Sequence, residues 1–348
     1  ELLTKYGKID IVFFDGQAES LRDEAWKLQP DIVVTRGALQ TPEQYVPGMA
    51  LKGAWEACIT MGEAWQYQPQ NDTYKSGREI LRLLIQTRAK GGNLLLDVGP
   101  KPNGEIPIQE EDRLREIGLW MFTNGEAIYS TRPWIITNES DIWFTKKKNE
   151  DTLYAMIDSD KPWDYGKWND VVLHSVKSSP NTEVSVLGEN GAVLEYQPNV
   201  NPKPSWEMKD DGLHIHAMLA QRFQDNRKWP NPVVLRLTHV TPSLNPPTIA
   251  TIASSEDPAS HAETLHGEVK DMGGSASLQV GFEYRSLLGE DVNARTSPWI
   301  PLPLQAISKA GAFSYRIDTL PPGLYEFHAV VKHPLITLYG ADLRMQRK

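Results

Sequence analysis

The chain has 348 residues, a formal net charge of −9 and a single cysteine, Cys58. That length allows two or three domains with cores of their own. One thiol excludes an intrachain disulfide framework and a cysteine-built zinc site, and the acidic balance argues against a nucleic-acid partner, which needs a basic stripe. No stretch approaches the ~20 apolar residues of a membrane span. The longest basic cluster, Lys146-Lys147-Lys148, reads as a solvated turn. Eleven tryptophans, many in segments that read as loops, are more informative. A ring beside polar groups suits the apolar C–H faces of a sugar, and core packing is the ordinary alternative.

Residues 1–135 alternate strand and helix. Ile9-Asp10-Ile11-Val12-Phe13-Phe14 is a short apolar run of the kind buried on both faces, and it ends at Asp15-Gly16. A helical stretch follows from Leu21 to Leu28, then a second buried strand over Asp31-Ile32-Val33-Val34-Thr35. Further strands are expected over 53–59 and 93–98. Between these two, Ser76 with Glu79 three residues on forms a capping box. Ile80, Leu81, Leu83 and Leu84 give the helix after it an apolar face, and Gly91-Gly92 stops it. A last helix starts with Pro107 as its first residue, carries Leu114, Ile117 and Met121 on one side, and ends at Asn124-Gly125.

Repeated strand–helix units predict a parallel sheet. Carboxylates and an arginine at strand C-terminal ends point to a (β/α)8-type barrel. Such a barrel takes eight strands and ~250 residues, so only a portion of one is present. After Trp134 the pattern changes to short alternating strands, such as 141–145, 152–157 and 233–237. They are separated by turn signals at Gly188-Glu189-Asn190-Gly191, Asp210-Asp211-Gly212 and Pro230-Asn231-Pro232. A proline-rich joint over 241–247 marks another boundary, beyond which 278–285 and 319–331 read as strands of a fibronectin-type sandwich. The expected fold class is therefore α/β: an incomplete (β/α)8-type barrel portion over 1–135, followed by two antiparallel β-sandwich domains over 136–243 and 244–348.

Asp15 is the sharpest chemical candidate, since a strand-end position in a barrel faces the active-site mouth. A turn aspartate is the plain alternative. Glu43, in Thr41-Pro42-Glu43-Gln44-Tyr45, follows the next strand and reads either as a site carboxylate or as a helix N-terminal glutamate. Arg36 ends that strand, where it can hold a carboxylate ionised, donate to sugar oxygens, or form a structural ion pair. Glu56, set among apolar residues in Trp55-Glu56-Ala57-Cys58, needs a partner if buried; it is a core ion pair or a second acid. Trp55, Trp65 and Tyr67 are candidate rings for a ligand, with core packing as the alternative. Two carboxylates on neighbouring barrel loops are what glycoside hydrolysis requires. There is no glycine-rich phosphate loop and no Gly-x-Ser-x-Gly elbow. All eight histidines lie past the barrel portion. His214-Ile215-His216 puts two imidazoles on one face of a strand, the start of a metal site or, more plainly, a solvated pair.

In order along the chain, Ile11-Val12-Phe13-Phe14-Asp15-Gly16, Thr41-Pro42-Glu43-Gln44-Tyr45, the segment 55–62 from Trp55 to Gly62, Ala64-Trp65-Gln66-Tyr67, the segment 90–100 from Lys90 to Pro100, and Asn124-Gly125-Glu126-Ala127-Ile128-Tyr129 resemble the α-L-fucosidases of glycoside hydrolase family 29. Each motif is weak alone; six in order over 8–130 are specific. The resemblance implies a retaining exo-glycosidase that releases terminal α-L-fucose. Asp15 would be the nucleophile and Glu43 the acid/base, with Glu56 as the other acid/base candidate. Arg36 would touch the sugar and Trp65 would pack on its C6 methyl. It also implies a fucosylated glycan as partner and no need of a metal or other cofactor. The histidines and tryptophans of the family's first barrel strands have no counterpart here, and Glu1 has no initiator methionine before it, so an N-terminal part of the barrel is expected to be missing. Exposed strand edges would follow, which a homo-oligomer would cover. The substrate class suggests a secreted or periplasmic protein. A non-catalytic fragment or carbohydrate-binding module is the competing expectation.

Overall fold

The computed structural model describes residues 1–15, 19–70, 73–161, 163–164, 166–189, 199–219, 228–288 and 295–347. Gly16 and the Asn190-Gly191 turn lie outside them. No described helix is long and apolar enough to cross a membrane.

The first 130 residues carry parallel strands and helices, with no closed barrel among the described residues. Strand β1 (Ile11–Val12) pairs in parallel with β2 (Val33–Val34), joined through helix α1 (Glu19–Leu28). Strand β3 (Glu56–Thr60) pairs in parallel with β4 (Asn93–Asp97), joined through helix α2 (Gly77–Ala89). The segment 40–44 runs in parallel beside β3, with Glu56 N–H donating to the Gln40 carbonyl and Cys58 N–H to that of Pro42. Helix α3 (Ile108–Asn124) closes this region.

Local chemistry explains the helix bounds. Ser76 caps α2, and Glu79 returns the bond to the Ser76 backbone, which is the capping box expected from sequence. Gly91 ends α2 at φ 88°. Gly92 is forced by packing, since a Cβ there would lie 2.5 Å from the Trp55 ring. Pro107 is the N-cap of α3 and not its first helical residue, because its ψ of 142° is extended. Ile117 and Met121 pack on the core that Leu81, Ile85 and Trp120 build, whereas Leu114 is 36% exposed, Leu119 71% and Phe122 92%.

The expectation that the first two strands are buried on both faces fails. Ile11 is 63% and Val33 47% exposed, because α1 covers only the side of Val12 and Val34. Ile11, Phe13 and Asp15 alternate onto the uncovered side, as Leu95 and Asp97 do from β4; Phe13 and Leu95 are partly exposed there.

From Thr131 the chain is antiparallel. A five-stranded sheet has the order 183–186, 233–238, 152–157, 142–147, 131–139, and a three-stranded sheet the order 205–209, 212–218, 168–173. Their inward side chains share one core, with Trp134, Phe144, Leu153 and Leu235 from the first and Leu173, Leu213 and Ile215 from the second. Farther on, one sheet over 248–256, 263–271 and 311–317 and a seven-stranded sheet centred on 278–288 and 323–332 enclose another core around Val280, Phe282, Phe313 and Phe327. Trp120 ties α3 to the β-rich part, donating its indole N–H to the Pro232 carbonyl at 2.8 Å.

Candidate active site

The four parallel segments end on one rim. Asp15 and Arg36 stand just past β1 and β2, where Phe14 N–H reaches the Arg36 carbonyl. Glu43 is bridged to Cys58. Asp97 ends β4 opposite Thr60. Together with Phe13, Trp65, Leu95, Leu96 and Val98 they line an open cleft of about 440 Å³.

One guanidinium organises it. Arg36 Nη1 donates to Asp15 Oδ1 at 3.0 Å, and Nη2 donates to Glu43 Oε2. The Arg36 side chain is 11% exposed and that of Glu43 5%, so this pair is sheltered from water; the Asp15 side chain is 76% exposed and open to a ligand. Burial works to lower the Arg36 pKa, but the hydrogen bonds and charges of Glu43 and Asp15 outweigh it and raise the value. The Arg36 guanidinium also lies 4.8 Å from the centre of the Phe13 ring. Cys58 is buried and its thiol is pushed up to about 11, mainly by that burial and then by Glu43, so at neutral pH it is no thiolate nucleophile.

Of the residues expected from sequence, Asp15, Arg36, Glu43 and Trp65 come together in this cleft, with Trp65 38% exposed. Glu56 does not reach it. It shares the face of Cys58 but sits two residues, roughly 7 Å, farther from the rim, where burial raises its pKa. Trp55 is not a ligand-facing ring: it is 1% exposed, packs with Ala57 and Ile59, and gives its indole N–H to the Lys90 carbonyl. Tyr67 lines a separate hollow with Tyr74, Lys101 and Pro107. His214 and His216 bond Asp211 and Asp170 at 2.7 Å each, and no metal-holding group of three ligands occurs among the described residues.

Asp97 was missed by sequence reasoning. It obeys the rule that picked out Asp15, a carboxylate at the end of an apolar strand next to the rim. Burial raises its pKa, and its Oδ2 is buried with no hydrogen-bond partner among the described residues.

The sequence model of the Alpha-L-fucosidase family matches residues 1–126, the segment that holds every one of these cleft residues. Over residues 1–126 the chain is similar to the α-L-fucosidases. The plasma α-L-fucosidase of Rattus norvegicus is 38% identical over 209 residues, 57% of this chain and 41% of that protein. The α-L-fucosidase of Branchiostoma floridae is 35% identical over 152 residues, 42% of this chain and 32% of that protein. The chain thus spans about a third to two fifths of the length of these relatives. Among solved structures, α-L-fucosidase isoenzyme 1 from Paenibacillus thiaminolyticus aligns with a TM-score of 0.53 at 26% identity, over 68% of this chain and 59% of that one. The α-L-fucosidase from Vibrio sp. strain EJY3 aligns with a TM-score of 0.57 over 92% of this chain and 64% of its own; at 18% identity it supports the fold alone.

Proposed function

We propose that the cleft is the active site of a retaining α-L-fucosidase. The observation that carries this reading is the single buried guanidinium joining an open strand-end carboxylate, Asp15, to a sheltered one, Glu43, within the family-matched segment. Bridging through one arginine brings the two carboxylates to one centre, as glycoside hydrolysis by a pair of carboxyl groups requires.

In the first step Asp15 attacks the anomeric carbon while the protonated Glu43 gives its proton to the departing glycosidic oxygen. The bond to the aglycone breaks as the bond to Asp15 Oδ forms. In the second, Glu43 as a carboxylate takes a proton from water, whose oxygen displaces Asp15 and frees fucose. Arg36 holds both carboxylates in place and can donate to sugar oxygens. Trp65, the exposed ring of the cleft, offers an apolar face to the C6 methyl.

The parallel region is read as part of a (β/α)8-type barrel and the two antiparallel units as sandwiches. The exposed side chains of Ile11 and Val33, outside the cleft lining, support a cover supplied by a second copy of the chain. A fucosylated glycan substrate agrees with an exported protein.

A 2-fluoro-fucosyl fluoride tests the chemistry, because the 2-fluorine slows both steps while the good fluoride leaving group restores the first, so the ester accumulates. Mass spectrometry of the digested protein should find the sugar esterified to the peptide that holds Asp15. An adduct elsewhere, or none with a turned-over aryl fucoside, sinks the assignment.

A further inference from the structure

The loop that follows Glu43 does not lie free. It is gripped by the C-terminal sheet, and the grip starts two residues from the carboxylate. Gln44 has φ 61°, a left-handed conformation that is costly for a non-glycine residue and persists only where its surroundings over-determine it. On one side the determinants are local. Gln44 N–H donates to the Cys58 carbonyl at 2.8 Å, and its side-chain Oε1 accepts from Thr60 Oγ1 at 3.2 Å.

On the other side they come from far along the chain. The Tyr45 ring centre lies 4.5 Å from the Arg285 guanidinium carbon, and the Trp299 ring centre lies 4.4 Å from the same carbon. Arg285 is 3% exposed and donates twice to Glu326 Oε2, from Nε at 3.0 Å and Nη2 at 2.7 Å. The anchor is therefore a desolvated cation on a fixed fork, where a ring contact is worth most. One further point extends the grip: a Cβ on Gly48 would come within 3.1 Å of Tyr339, while within the parallel part Lys90 Nζ donates to the Pro47 carbonyl at 2.7 Å.

We propose that Tyr45, seated on Arg285 of the C-terminal sheet, is a positioning residue that holds the 43–45 turn and thereby the Glu43 carboxylate against Arg36. This rests on the reading of Glu43 as the acid/base. It makes the C-terminal unit a working part of the site and not an appendage.

The test compares Tyr45→Phe, which keeps the ring, with Tyr45→Ala, which removes it, in the full chain. Two readouts are taken. Amide exchange at Gln44 needs no activity: Tyr45→Ala should speed it roughly tenfold or more, and Tyr45→Phe should leave it as in wild type. For turnover, a methyl α-L-fucoside needs acid assistance and a dinitrophenyl fucoside does not. Tyr45→Ala should lower kcat on the first by roughly tenfold or more while nearly sparing the second, with Tyr45→Phe restoring both. Unchanged exchange at Gln44 in Tyr45→Ala overturns the positioning role, as does an equal loss on both fucosides. A wild type inactive on both substrates would refute the fucosidase reading alone, since the exchange result still decides whether Tyr45 holds the turn.

Discussion

The two ends of the molecule are built to different standards. The β-rich part from Thr131 onward encloses deep cores, in which Phe144, Leu235, Phe282 and Phe327 are 0–1% exposed. The parallel part has small ones: among the described residues the buried apolar cluster around β1 and β2 is Ala25, Ile32 and Val34, and most of the large exposed apolar side chains lie before residue 130. Yet the cleft sits on the thinly packed part. Its order comes instead from directed polar contacts, above all Arg36 between Asp15 and Glu43, and from attachment to the well-packed part through Tyr45 and Trp120. A site can be borne by a weak scaffold where a strong neighbour holds the loops that carry its chemistry.

The largest expected effect that would break this contrast is chemical. Glu43→Gln should reduce kcat on a methyl α-L-fucoside by about 100-fold or more and Glu56→Gln by far less; steady-state kinetics giving the reverse order would move the acid role inward to Glu56. Next comes packing. Phe144→Ala should lower the unfolding free energy by about 3–5 kcal/mol, against about 0.5–1.5 kcal/mol for Ile32→Val in the thin core. Denaturant titration with probes in each part would show whether the two losses fall in separate transitions, as small cores on separate sheets imply.

The smallest effect concerns pH. Burial acts to lower the pKa of His328, but its bond from Nδ1 to Asp342 at 2.6 Å and the Glu283 carboxylate 3.5 Å from Nε2 overcome this and raise it. Trp299 and Tyr339 are the rings packed against the imidazole. A folded-state pKa above the unfolded ~6.5 means that the ion pairs contribute fully below pH ~6.5 and are lost as pH rises through the raised value. Thermal unfolding of the C-terminal unit should therefore shift down from pH 6 to pH 8, and His328→Gln should remove that slope. A slope unchanged in the variant would assign it to another group.

How much of this was legible in the sequence follows from the range of the forces involved. The α2 capping box, the stop at Gly91-Gly92 and the strand-end position of Asp15 are set by neighbours a few residues away, and each was readable. Pairing Arg36 with both carboxylates was readable only as a possibility, because strand ends identify a rim but not which side chains meet on it. Trp55 was misjudged because a tryptophan beside a glutamate looks the same in a loop as in a core, and what decides is Gly92, which leaves room for the ring. Asp97 carries the same strand-end signal as Asp15, but within the longer segment from Lys90 to Pro100 its neighbours do not set it apart. The exposure of Ile11 and Val33 was hidden by their apolar character, which speaks of what a strand would bury and not of whether anything covers it. The seat of Tyr45 on Arg285 joins distant parts of the chain through ring and cation, and no local pattern announces it.

Asp15 is the residue on which the proposed chemistry turns. The direct measurement is hydrolysis of an aryl α-L-fucoside by the wild-type chain beside Asp15→Gly, with and without azide. Wild-type turnover, a loss on the order of 10³-fold or more in the variant, and recovery with formation of a fucosyl azide are the predicted results. A folded wild type without turnover, or an Asp15→Gly variant as active as the wild type, would contradict the assignment of this cleft as the site of a fucosidase.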